Sequence, residues 1–447
     1  MTALWFETAL TQTGWETGVR LSVEDGRIVQ VQVGVPPQLG DDKAKIGVPG
    51  VGNLHSHAFQ RAMAGLAETR SPGGDDFWSW REVMYRFVGT LTPDDVEAIA
   101  AQAFAEMVCA GFTRVGEFHY LHNDIDGRPY RDPGEMAGRI AAAAGAAGIG
   151  LTLLPVFYAH GGFGGEEPAP RQARFISTID SYGDIFAASA KAVASLPDGR
   201  VCVAPHSLRA VTPNELAAVA ALAPDDPVHI HVAEQTAEVE ACLAWSGARP
   251  VEWLLANADI DPRWCLIHAT HMNEAESVTL ALSGAVVGLC PITEANLGDG
   301  LFPARSYLKD GGAFGVGSDS NVRIDLSEEL RLFEYGQRLA GRSRGVTGSG
   351  AELFRGALAG GGQALGEAVV GLAAGAAADV IELDAEHSSL WGRGGDALLD
   401  SWIFAASESA IKTVWRQGEH LVDGGRHVRG EAIARRYRAA LRRILDR

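Results

Sequence analysis

Cysteine is scarce in this 447-residue chain. There are five, Cys109, Cys202, Cys242, Cys265 and Cys290, and none stands in a CxxC pair. An odd, scattered set in a long chain excludes a disulfide-built fold and a thiolate zinc ribbon. Reduced, mostly buried thiols in a cytoplasmic protein are expected instead. Basic residues are also short: 38 Lys+Arg stand against 56 Asp+Glu, a formal net charge of −18. A surface that acidic repels phosphate backbones, so nucleic acid is not an expected partner. Long apolar runs are missing too. The uncharged stretch 140–159 is mainly Ala and Gly and is interrupted by Pro155. It reads as the end of a buried helix followed by a strand at 151–158, with no membrane span. The first twenty residues carry Glu7 and Glu16 and no basic start before an apolar run, so no secretory leader is expected. Finally, no Gly-rich phosphate turn follows a first strand, which speaks against a nucleotide-binding doubly wound sheet.

What is present is ample core material, 47% apolar residues, in a repeating order. Thr92-Pro93-Asp94-Asp95 has the chemistry of a helix start, with Thr92 as cap and Asp95 closing a capping box. Val96, Ile99, Ala103, Phe104 and Met107 then make one apolar face, and an apolar strand follows at 112–118. The unit recurs: Thr212-Pro213 opens another helix, and strands are read at 228–232, 264–268, 285–290 and 314–317. Near-continuous apolar strands alternating with helices imply a parallel sheet covered on both faces. The length from about 50 to 372 suits a (β/α)₈ barrel. The ends differ in character. Residues 17–48 alternate around Asp25-Gly26, a hairpin signal, and 376–427 look strand-rich. The expected organisation is an α/β (β/α)₈ barrel at 50–372 with a small β-sandwich-like domain built from both ends, 1–49 and 373–447. The segment 431–447 reads as a docked basic helix with Ile433, Tyr437, Leu441 and Ile444 on one face.

In such a barrel the active site is assembled from the carboxyl ends of the strands. His55 and His57 stand two apart in PGVGNLHSHAFQ, so both project to one side of an extended chain. His206 ends the fourth strand and His231 the fifth, in VHIHVAEQ, with Glu234 three residues on; His268 ends the sixth, in CLIHAT. Asp319 follows the last strand in GVGSDS. Each has a plain structural reading alone, but together they converge on one point, and imidazole with carboxylate suits a divalent cation, zinc first. Two-metal barrels usually need a bridging lysine after the fourth strand. None of the five lysines ends a barrel strand, and His206 stands there instead. One metal is therefore expected, held by His55, His57, His231 and Asp319. His119, His122 and His271 are read as supporting or loop groups, and Gly161–Gly165 as a lid or a plain surface loop.

The segments NLHSHAF, HVAE, IHATH and GSDS resemble the amidohydrolase superfamily in its single-zinc deaminase branch. FWSWREVMY, GEFHYLH, PHSLRAV and CPITEANLGDG are similar, more narrowly, to the formimidoylglutamate deiminase family of histidine degradation. The resemblance implies release of ammonia from N-formimidoyl-L-glutamate by one Zn²⁺ per subunit of a homodimer. It implies catalytic roles for Glu234, His268 and Asp319, and substrate contacts from Gln60, Arg81, Tyr120, His206 and Arg209. Trp78 and Trp80 beside Arg81 suggest a packed loop there. The two arginines answer a substrate with two carboxylates, because a guanidinium fork meets a carboxylate with paired hydrogen bonds. The rival readings are a single-zinc deaminase of an aminated purine, a two-metal hydrolase, and a non-catalytic binding protein on the same scaffold.

Overall fold

The computed structural model describes residues 2–68 and 77–446, apart from the side chain of Trp78. Eight parallel strands close into a barrel. In chain order they are Val51–Ser56, Phe112–His119, Gly150–Phe157, a fourth in two pieces (Arg200–Val201 and Ala204–Pro205), Val228–Val232, Trp264–His268, Val286–Leu289 and Ala313–Val316. Ladders join strands one to four and five to eight. Single parallel bridges complete the ring. Val203 pairs with Val228 and Ser207 with His231 between strands four and five, and Ser56 pairs with Asp319 between the last strand and the first.

Local chemistry explains the intervening helices. The Thr92 and Thr212 hydroxyls accept the backbone N–H of Asp95 and Glu215, and those carboxylates accept the cap N–H in return. This satisfies donors that a helix start otherwise leaves bare. Gly148, Gly247 and Gly284 end their helices in the left-handed conformation, which a β-carbon would oppose.

Leu54, Cys265, Ile267, Val286 and Cys290 fill the barrel interior together with Leu365, which follows the helix Gly350–Ala364. That helix lies hard against the floor. A β-carbon on Gly360 would stand 2.0 Å from the Phe314 carbonyl oxygen, so only glycine permits the contact. His229 also points down here, its Nε2 2.8 Å from the Ala364 carbonyl, away from the barrel mouth.

Both chain ends enter one eight-stranded sheet. Val380–Leu383 runs antiparallel to Asp42–Pro49, pairing Ile381 with Val48, and this is the seam between the ends. Asp25 (φ 48°) and Gly26 (φ 75°) make the left-handed two-residue turn between strands Gly14–Glu24 and Arg27–Gln32. The sheet has its own apolar cluster, with the Phe6 and Trp415 rings edge to face at 5.9 Å. The 376–427 region is not all strand: Asp396–Ala405 is a helix, with Leu398, Leu399, Trp402 and Ile403 buried. The terminal helix Gly430–Leu445 docks on Pro93–Cys109 through Arg443–Asp95 and Arg436–Glu97. No helix among the described residues is long and apolar enough to cross a membrane.

Candidate active site

At the carboxyl ends of the strands, ligand atoms of His55, His57, His231 and Asp319 all lie within 4.8 Å of one another, and all four residues are buried. Asp319 Oδ1 is 3.3 Å from both His55 Nε2 and His57 Nε2, and His231 Nε2 is 3.0 Å from His55 Nε2. Backbone pairing sets this arrangement: His57 N–H donates to the Asp319 carbonyl at 2.9 Å, and Asp319 N–H to the His55 carbonyl at 3.0 Å. A buried polar chain reinforces it. Asn53 donates to Ser318 Oγ (2.7 Å), Ser318 Oγ to Asn321 Oδ1 (2.6 Å), and Asn321 Nδ2 to Ser56 Oγ (3.1 Å).

The outer ring nitrogens reveal the tautomers. His57 Nδ1 lies 2.9 Å from the Phe118 carbonyl, and His231 Nδ1 3.1 Å from the His206 carbonyl. A carbonyl only accepts, so both Nδ1 atoms carry the proton and both Nε2 atoms turn lone pairs inward. Burial drives His55, His57 and His231 below the usual imidazole range, so the rings are neutral. Inward lone pairs beside a carboxylate repel unless a cation lies among them. This donor set fits a divalent metal.

His268 sits beside this group, its ring stacked on His231 with centroids 5.6 Å apart. Its Nε2 is 3.8 Å from Glu234 Oε1, and its Nδ1 is 3.2 Å from Glu294 Oε1. Burial alone would push His268 down, but Glu234, the bond to Glu294, and Asp319 outweigh it and lift the ring to about 10. Burial raises Glu234, against the opposing pull of His268 and Arg209.

The remaining predicted residues line the same cavity: Gln60, Arg81, Tyr120, His206 and Arg209 all face it, together with Trp80, Tyr85 and Tyr158. Gln60 Nε2 donates to the Tyr120 hydroxyl at 3.0 Å, and Gln60 Oε1 is buried without a partner among the described residues. Arg81, on the helix Phe77–Val88, reaches the Tyr158 hydroxyl at 3.5 Å and lies over the Tyr85 ring at 5.4 Å. Arg209 NH2 is 3.9 Å from Glu238 Oε2, and its buried Nε–H has no acceptor among the described residues. His206 Nδ1 meets Ser207 Oγ at 3.0 Å, and burial with the neighbouring Arg209 and Arg81 keeps its ring neutral.

Other residues stand apart. His119 and His122 bind the Leu121 and Val156 carbonyls through Nε2 and belong to the packing behind the site. The 161–165 loop is pinned, with the Phe163 ring stacked 5.5 Å from Trp245 and Gly161 N–H bonded to the Glu166 carbonyl.

Three carboxylates escaped the sequence reading. Glu238 accepts the backbone N–H groups of Ala233 (3.1 Å) and Glu234 (3.2 Å), fixing the turn that carries Glu234. Glu294 meets His268. Asp299 is paired with Gln235 through Oδ1, and burial lifts it to about 8. Glu294 did leave a signal: it is the only charged residue between Ala285 and Gly298.

A closed (β/α)₈ barrel with a His/His/His/Asp group at its mouth defines a class, and comparison with known proteins agrees. Residues 46–421 match the family model described as "Amidohydrolase family", and the chain belongs to that family. More narrowly, residues 1–45 match "Formimidoylglutamate deiminase HutF, N-terminal domain". The chain is 48% identical to formimidoylglutamate deiminase of Pseudomonas aeruginosa, covering 100% of both proteins. An 8-oxoguanine deaminase of the same organism is 28% identical, covering 98% of each. The crystal structure of an amidohydrolase from Brucella melitensis superposes with a TM-score of 0.97 at 50% identity, covering 100% of both chains.

Proposed function

We propose that this protein is a zinc-dependent hydrolase that converts N-formimidoyl-L-glutamate and water to N-formyl-L-glutamate and ammonia, a step of histidine degradation. The observation that carries this reading is the pairing, in one cavity, of an inward-facing His/His/His/Asp group with a buried guanidinium whose Nε–H is unclaimed by any described residue. The full-length likeness to a protein named for that reaction supports it.

His55, His57, His231 and Asp319 would hold the ion, one per subunit. When bound, zinc lowers the pKa of a water it holds from 15.7 to about 7, supplying a nucleophile at neutral pH. Everything else falls to side chains. Arg209 and Arg81 take the two substrate carboxylates and point the formimidoyl carbon at the barrel axis. Asp319 accepts the proton that the attacking water releases. The carbon becomes tetrahedral, and His268 Nε2–H stabilises the oxygen it has gained. Glu234, whose carboxyl burial pushes above its ordinary value, delivers a proton to the departing nitrogen. Asp319 returns its proton to the same nitrogen, the new hydroxyl gives its proton to Glu234, the C=O bond forms as the C–N bond breaks, and the nitrogen leaves as ammonia. Gln60, Tyr120 and His206 bound the substrate on the remaining sides.

The same reading includes a homodimer working in the cytoplasm. The five free cysteines, four of them buried, suit a reducing compartment.

The test is ammonia release from N-formimidoyl-L-glutamate and, in parallel, from guanine. Release from the first alone is expected, and release from guanine alone overturns the reading. In Arg209→Met the lost charged hydrogen bonds are worth about 1.5–3 kcal/mol, so KM should rise roughly 10- to 150-fold. An unaltered KM removes Arg209 from substrate binding.

A further inference from the structure

His268 ends the sixth barrel strand in a left-handed conformation (φ 69°), and Ala269 follows in another (φ 48°). This turn carries the ring inward and leaves it between two carboxylates. On one side Nε2 looks toward Glu234 across 3.8 Å; on the other Nδ1 lies 3.2 Å from Glu294 Oε1. The two contacts are unequal, because only the second is a hydrogen-bond distance.

Glu294 belongs to the short helix Pro291–Leu297 that follows strand seven, and it is buried. The same Oε1 accepts the Cys290 backbone N–H at 2.9 Å, so the carboxylate is anchored to the start of its own helix. His268 is 1% exposed and Glu294 7%, so little water competes for the bond between them. A ring free to rotate could present either nitrogen to the cavity. One whose Nδ1–H is bound to a fixed carboxylate presents only Nε2.

We propose that Glu294 is a positioning residue for the deamination: by holding the Nδ1–H of His268 it fixes ring orientation, so that Nε2–H faces the reacting carbon. Glu294 lies outside the His/His/His/Asp group and, behind His268, is not among the residues that line the cavity. Its effect therefore falls on turnover and spares both metal content and substrate affinity. The kinetic part rests on the proposed function, whereas the positioning itself can be read without substrate.

The experiment compares wild type, Glu294→Gln and Glu294→Leu. Outer partners of catalytic and ligating histidines typically carry about 10- to 100-fold in activity. For Glu294→Leu, kcat on N-formimidoyl-L-glutamate should fall by that factor, with KM within about threefold of wild type and equal zinc content. Glu294→Gln keeps an oxygen acceptor and should recover part of the loss. An unchanged kcat in Glu294→Leu, or a loss confined to KM, overturns the proposal. In parallel, ¹⁵N-histidine NMR, with His268 assigned by its disappearance in His268→Gln, should show a proton on Nδ1 in wild type. A bare Nδ1 there overturns the proposal whether or not either Glu294 variant folds. Wild-type protein that releases no ammonia from this substrate sinks the proposed function, and the spectrum still decides the role of Glu294.

Discussion

The two ends of the barrel bury charge in opposite ways. At the floor, Arg114 and Arg416 both pair with Asp198, and Arg114 Nε also meets Glu367 at 2.8 Å. Opposite charges face one another there and tie the barrel to the terminal sheet. At the mouth the buried groups are mainly neutral imidazoles and raised carboxylates, crowded around one point. Among the described residues, eight non-glycine residues have positive φ, and five of them (Ala233, His268, Ala269, Asp319 and Asn321) follow or end the strands at the mouth. Each such residue costs about 1–3 kcal/mol and persists only where its surroundings over-determine it. The floor is arranged for stability. The mouth gives up stability to hold groups in states they would not choose alone.

Substitutions should separate the two ends. The largest effect is expected from Asp319→Ala, which removes a proposed ligand and the proposed base together. Turnover should fall by about 10⁴-fold or more, with loss of bound metal, by steady-state kinetics and elemental analysis. Glu234→Gln removes the proposed proton donor and leaves the proposed ligand set intact. A drop in kcat of about 10²- to 10⁴-fold with full metal content is expected. Turnover near wild type in that variant would take Glu234 out of the chemistry.

The floor should show the reverse signature. Asp198→Ala leaves two arginines facing each other and should cost about 3–5 kcal/mol in urea unfolding, with kcat unchanged for the folded enzyme. Burial by itself would raise Asp198, but Arg114 and Arg416 outweigh it and hold the carboxyl below its ordinary value. Because the folded pKa is the lower one, the contribution of Asp198 to stability is complete above the unfolded value of about 3.9 and is lost as pH falls through the folded value. Wild type should therefore lose stability in acid more steeply than the variant. A reduced kcat in Asp198→Ala at neutral pH would show that floor and mouth are coupled. The smallest effect is expected from Thr92→Ala, which removes the cap of the helix under the C-terminal helix and should cost about 1 kcal/mol with no kinetic change.

Much of the frame was legible in the sequence because its signals are local. Strands such as Val228–Val232 and Trp264–His268 are apolar except for their histidines, and Thr-Pro pairs mark where helices begin. The histidines show themselves by standing at strand ends, where the barrel geometry assigns them a direction. Glu238 and Glu294 were missed because a carboxylate on a short helix normally faces water, and only three-dimensional packing turns these two inward. The helix Asp396–Ala405 was hidden for a related reason: Leu398, Leu399, Trp402 and Ile403 are apolar enough to read as strand, and their burial depends on distant partners. The seam between Asp42–Pro49 and Val380–Leu383 joins segments more than 300 residues apart, and no local pattern sets its register.

The most direct test measures metal content and ammonia release on the same sample while a chelator withdraws the ion and zinc is added back. One zinc per chain is expected, with release of ammonia from N-formimidoyl-L-glutamate falling in proportion to occupancy and returning on reconstitution. Full activity in metal-free protein, or a requirement for two ions per chain, would contradict the proposed single-cation site at the barrel mouth.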